Sequence, residues 1–178
     1  LLLMVELQNK YKLGVRRFGL INWVGAINLF FKECSRFFVV WAQTLLSPLV
    51  SSLLFLSVLT LALGDERGEV MGYSFIEFLA PGLIVMSLIS QSFSHSVSSL
   101  MISKMQGNIV DMLYAPLSAF EVTLAIILAA VTRSIVIAII SILVFSAIVD
   151  LNFYNFFYII TFGVLGCFIL GSLGFITG

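Results

Sequence analysis

Arg133 sits in the middle of a stretch from Val122 to Val149 that carries no other charge. A guanidinium held at mid-depth in a bilayer costs on the order of 2.5–3.5 kcal/mol on insertion scales, so it must face protein or water rather than lipid. Two roles fit: a residue lining or gating a path, where it could touch an anionic group of a passing molecule, or a structural partner for a carboxylate or a helix C-terminus. His95 stands in the serine-rich segment Ser90 to Ser99 without a neighbouring Cys or acid, so it reads as a helix-packing histidine rather than a proton carrier. No base is placed to activate any of the serines, so no catalytic residue is expected. No His/Cys/carboxylate group has metal-ligand spacing, so no metal site is expected. Cys34 and Cys167 fall on different segments and read as small packing residues rather than a disulfide. The Gly-x-x-x-x-Gly-Lys-[Ser/Thr] phosphate loop does not occur, so no cofactor is expected and nucleotide energy must come from another polypeptide.

The elements that position these residues are set by composition. The 178 residues are 61% hydrophobic and 10% charged, against roughly 45–50% and about 25% in soluble domains. Several apolar stretches reach the ~20 residues that cross a hydrocarbon core. Four spans are expected, over 39–63, 75–100, 119–149 and 153–178. Ser74-x-x-Glu77 and Ser118-x-x-Glu121 are capping boxes that open the second and third spans. Pro81 is expected to kink the second. Gly64 to Glu69 and Asp150-Leu151-Asn152 form polar turns, and Tyr154, Phe156, Phe157 and Tyr158 suit a membrane interface. Thr44, Ser47 and Ser51 share a face beside Pro48, and Gly163, Gly166, Gly171 and Gly174 allow close helix contact. Either helix packing or a transport path would use the hydroxyl face.

Before the first span, Leu20, Trp23, Val24, Ile27, Phe30, Phe31 and Cys34 recur at helical spacing, with Asn22, Asn28, Lys32, Glu33 and Arg36 opposite. This predicts an amphipathic helix in the plane of the membrane surface, within a cytosolic N-terminal region 1–38. Residues 39–178 form the transmembrane domain, and 101–118 a connector outside the membrane that forms a short amphipathic helix or pair of turns. Lys10, Lys12, Arg16, Arg17, Lys32, Arg36 and Lys104 fall on one side and Arg67 alone on the other. The basic excess marks that side as cytoplasmic, which places the N-terminus and the connector inside the cell. The net charge of +0 gives no field to recruit nucleic acid. Neither end looks like a natural terminus, with no initiator methionine and a last residue inside a hydrophobic run, so a piece of a longer chain is expected.

The fold class is therefore all-α: a polytopic transmembrane helix bundle with an N-terminal interfacial amphipathic helix. That order, with Phe78-Leu79-Ala80-Pro81-Gly82 opening the second span and Lys104-Met105-Gln106-Gly107-Asn108-Ile109-Val110-Asp111-Met112-Leu113-Tyr114-Ala115-Pro116-Leu117-Ser118-Ala119-Phe120-Glu121 following it, resembles the permease subunits of the type-2 ATP-binding-cassette (ABC) exporter family. The resemblance implies six spans in the whole protein, a homodimer or pseudo-dimer in the bacterial inner membrane, and outward movement of a polysaccharide, lipid or drug. It also implies that 101–113 is a coupling helix, with Lys104, Met105, Gln106, Gly107, Asn108 and Asp111 gripped by a cytosolic ATPase subunit that binds the ATP. The chain itself is then a transport subunit and not an enzyme. The rival readings are an ion-coupled carrier or channel, which would need acids inside the spans, and a membrane scaffold.

Overall fold

The computed structural model describes residues 22–63, 69–70, 72–149 and 155–178. Leu20, the basic residues at 10, 12, 16, 17 and 67, the greater part of the first polar turn, and the turn at 150–152 with Tyr154 lie outside them. The helices are α1 (Trp23–Val39), α2 (Trp41–Leu63), α3 (Phe75–Met105), α4 (Ile109–Tyr114), α5 (Ala119–Ser146) and α6 (Phe156–Thr177). A two-residue antiparallel pair, β1 (Glu69–Val70) and β2 (Tyr73–Ser74), joins α2 to α3 across a turn in which Gly72 takes φ +82°. Four helices, α2, α3, α5 and α6, are long and apolar enough to cross a membrane. The chain is an all-α polytopic bundle.

Local chemistry sets the helix starts and stops. Both capping boxes form: Ser74 accepts from the Glu77 N–H and Glu77 from the Ser74 N–H, and Ser118 and Glu121 do the same. Helix α3 does not end at residue 100. It contains Pro81 in its second turn and continues to Met105, because nothing between Gly82 and Gly107 opposes the helix, and Gly107 at φ +74° is the first residue to take a conformation that side chains resist. Its 31 residues span about 46 Å at ~1.5 Å each, well beyond a ~30 Å hydrocarbon core. The expected single coupling helix is therefore divided: 101–105 are the tip of α3, and α4 follows the Gly107 turn. Helix α5 likewise stops at Ser146, and α6 begins at Phe156.

Several hydroxyls within the spans turn back on their own helix. Thr132 donates to the Leu128 carbonyl at 2.9 Å and Ser134 to that of Ala130 at 2.8 Å, which satisfies them where no water can. Helix α5 is central and packs on α1, α3 and α6. Its buried Ala125, Ala129, Ala130 and Ser134 let backbones approach. Leu56, Ala80, Leu83, Ile84, Phe145 and Val149 form one apolar cluster between α2, α3 and the end of α5. Ile127, Val131 and Cys167 form another where α6 meets α5.

Candidate functional site

The start of α1 is fastened to the start of α5. Asn22 caps α1 by accepting from the Gly25 N–H at 3.0 Å, donates its own backbone N–H to Glu121, and reaches the Pro116 carbonyl with its amide at 3.3 Å. A Cβ at Gly25 would lie 2.7 Å from Leu117 Cδ2, so glycine permits this contact. Glu121 also accepts from the Ser118 N–H at 2.6 Å. One buried carboxylate thus serves the positive ends of two helices, which is more than the capping role expected of it. Glu121→Ala is expected to cost about 2 kcal/mol, twice the ~1 kcal/mol of an ordinary cap, and thermal unfolding of the purified protein beside Glu77→Ala would measure the difference.

Eleven residues further on, α1 is held again. Glu33 is buried at 4% exposure. It accepts from Ser99 Oγ of α3 at 2.8 Å and pairs with Arg36 at 3.4 Å. His95, one turn before Ser99, presents Nε2 to the same carboxylate oxygen at 3.9 Å. On the other side of the ring, His95 Nδ1 meets Arg133 NH1 at 2.8 Å, while Arg133 NH2 donates to Gln91 Oε1 at 3.2 Å. A guanidinium only donates, so Nδ1 is the acceptor and the imidazole proton sits on Nε2, facing Glu33. The Arg133 Cζ lies 5.7 Å from the centre of the Phe37 ring of α1, within cation–π range.

Glu33, Ser99, His95, Arg133 and Gln91 form a polar clasp that joins α1, α3 and α5. The clasp and the Asn22–Glu121 fastening lie about 16 Å apart along α1 and about 18 Å apart along α5 at ~1.5 Å per residue, so α1 runs beside the first half of α5. A helix crossing α5 at a steep angle would meet it only once. The expected apolar face is present: Trp23, Val24, Ile27 and Phe31 point away from the bundle, exposed at 65%, 70%, 48% and 61%. The expected polar face is split. Asn28 and Lys32 are exposed, but Asn22 and Glu33 turn inward because partners await them on α5 and α3. Of the two roles open to Arg133, the partner found is a neutral histidine and an amide rather than a carboxylate or a helix end. The stripe Gln91, His95, Ser99 at helical spacing was the signal for the clasp, and nothing in it identified Glu33.

Beside the clasp, a cleft of about 380 Å³ opens between α2 and α3. Ser47, Ser51, Ser87, Ser90 and Gln91 supply its polar lining. The hydroxyl face expected on α2 thus looks into a cavity, while Thr44 donates to the Val40 carbonyl at 2.8 Å. Gln91 is shared between the cleft and the clasp.

The connector has a different character. Lys104, Gln106, Gly107, Asn108 and Asp111 are exposed, with the Asn108 amide donating to Gln106 Oε1 at 3.1 Å. Lys104 donates to the Gly178 carbonyl. Met105, Leu113 and Tyr114 stand out at 83%, 77% and 86% exposure. No hydrogen bond or ion pair joins these residues to Arg133 among the described residues; α3 itself is the link. Among the described residues no three His, Cys, Asp or Glu are grouped to hold a metal.

The family model of the ABC-2 type transporter matches residues 26–178. Over 96 residues the chain is 34% identical to the inner membrane transport permease YadH of Escherichia coli K12, covering 54% of this chain and 38% of that protein. The permease of the same name in Shigella flexneri matches to the same extent. The matched part therefore spans well under half the length of these relatives. No solved structure matches the chain.

Proposed function

From the premise that the chain belongs to the ABC-2 type transporter family, we propose that it is the permease part of an ATP-driven exporter of the inner membrane whose ATPase is a separate cytosolic subunit. The observation that carries this reading is the shape of the connector. A single helix runs from Ser74, at one end of the bundle, to a tip at Met105 beyond the expected membrane thickness. That tip and α4 present Met105, Val110, Leu113 and Tyr114 without cover. Apolar side chains of this size, exposed on a polar connector, suit a protein partner. The basic residues on the same side favour a cytosolic position for it and for the N-terminus.

The mechanism follows from stiffness. When ATP draws the partner subunits together, they push on Gln106, Gly107 and Asn108, and α3 carries the displacement as a rod because it has no break. Gln91, His95 and Ser99 lie on that rod and are tied to α1 and α5, so the push shears the clasp and moves three helices relative to one another. The connector's far end is also fixed to α1 through the Asn22 to Pro116 hydrogen bond. The polypeptide performs no chemistry on ATP in this scheme and needs no cofactor of its own. The apolar outer faces of α2 and α6 are left for lipid, for the remaining spans and for a second permease copy.

The test uses the tagged full-length protein extracted from its own membranes. It is expected to bring down an ABC ATPase subunit, and Met105→Glu with Leu113→Glu is expected to reduce the captured ATPase at least tenfold while leaving the permease folded. Capture of no ATPase by the unaltered protein would defeat the reading.

A further inference from the structure

We propose that the cleft between α2 and α3 binds an uncharged amphiphile whose head group offers hydrogen-bond-accepting oxygens, with the half-buried Gln91 amide and the buried Ser87 hydroxyl as its donors and Arg133 as the residue that orients Gln91. The cavity volume of about 380 Å³ lies within the ~300–1,000 Å³ of small-molecule sites. No residue lining it carries a charge. An ion taken there from water would lack a direct counter-charge, whereas a neutral polar head could be satisfied.

The direction of the hydrogen bonds is set by Arg133. Because a guanidinium can only donate, the Gln91 oxygen must face it, and the Gln91 NH₂ is turned the other way as a donor. That NH₂ has no hydrogen-bond partner among the described residues. Ser87 Oγ is buried on the cleft wall and also lacks a partner. Within a bilayer such groups require one. Ser52 is already satisfied, since its hydroxyl donates back to the Pro48 carbonyl. Ser47 and Ser51, one turn apart on α2, extend the polar lining. Phe55 and Met86, at 53% and 66% exposure, give an apolar margin where an alkyl chain could lie. The site therefore pairs a polar wall of neutral donors with an apolar edge open to the lipid side.

This deepens the exporter reading by naming a class of cargo, and only the cargo assignment rests on that reading. The probe is an alkyl glucoside with a diazirine in its chain, added to the full-length protein in lipid nanodiscs without ATP. Photolabelling is expected on the α2 and α3 peptides carrying Phe55 and Met86, competed by octyl glucoside and not by decyl sulfate. Ser87→Ala and Gln91→Glu are each expected to reduce labelling about threefold to tenfold, the effect of one hydrogen bond. Arg133→Lys, which keeps the charge but loses the fork that aims Gln91, should lower it to an intermediate level, and the exposed Ser94→Ala should leave it unchanged. Equal competition by decyl sulfate, labelling indifferent to Ser87→Ala and Gln91→Glu, or spontaneous disulfide formation between two copies of a Ser51→Cys variant would each overturn the proposal. Because the measurement needs no ATPase, a negative result here leaves the exporter reading standing, and failure to capture an ATPase leaves the binding result standing.

Discussion

Replacing Glu33 with alanine is expected to loosen α1 from the bundle at a cost of about 2–3 kcal/mol. Removing one member of a fully buried ion pair costs roughly 3–5 kcal/mol, because the other charge is stranded. Here the cost is smaller, since the Arg36 side chain is 35% exposed and can turn to water. What cannot relax is the α3 side, where Ser99 loses the acceptor it reaches at 2.8 Å and His95 Nε2 loses the carboxylate oxygen it faces. Cys34 provides a reporter that stability alone would not move. Its thiol is held above the ordinary range first by burial and then by the negative charge of Glu33. A raised thiol pKa means less thiolate at a given pH, so removing both causes lowers the pKa and speeds the reaction. Maleimide labelling of Cys34 at pH 7.5 should therefore accelerate in Glu33→Ala, and Glu33→Gln, which keeps an acceptor for Ser99, should fall between. An unchanged melting temperature with an unchanged labelling rate would show that the clasp holds nothing.

The second large effect is expected at Gly174. A Cβ there would sit 2.6 Å from the Phe93 carbonyl oxygen and 3.1 Å from Ser96 Cβ. The obstacle is backbone, which cannot swing aside as a side-chain tip can, so α6 must move off α3. Overpacking costs about 1–3 kcal/mol, and Gly174→Leu should lie at or above the upper end because it adds three further carbons to the same gap. The movement would also break the hydrogen bond of 2.8 Å that Ser92 makes to the Cys167 carbonyl. Gly166→Ala is the internal comparison, since its new Cβ would meet only the Ile89 side chain at 3.3 Å, and Gly82→Ala meets nothing within 4 Å. The expected order of thermal stability in detergent is Gly82→Ala, then Gly166→Ala, then Gly174→Leu. Equal melting of all three would remove the argument for close packing of α3 and α6.

The four glycines of α6 show how far the residues alone could lead. All four were expected at close contacts because they are small and share a membrane span. In the structure Gly171 and Gly174 meet the serine side of α3 closely, while Gly163 would reach only to 3.9 Å from Leu88. Composition marked the helix as a packing helix, but which glycines touch depends on how α6 is rotated against α3. The capping boxes behaved differently, because each is closed within four residues and needs nothing from the rest of the chain. The Gly107 turn belongs to the same local class. The spans themselves were equally legible, since crossing lipid requires only length and an absence of charge.

The clasp belongs to the other class. Ser99 meets Glu33 from 66 residues away, Arg133 meets His95 across 38, and Asn22 reaches Glu121 across 99. The amphipathic pattern around Glu33 shows that its side of α1 is polar, but a polar face can equally meet water or a buried partner. That choice was made only when α3 and α5 brought Ser99 and His95 to it, and when α1 settled along α5. The chain by itself determined that lipid is its solvent, where its helices begin, and that Arg133 needs a partner. The tertiary structure decided which partner, because an ionic side chain in a bilayer takes whichever polar group the packing of the helices puts within reach, and that packing is set by rotations that no local pattern encodes.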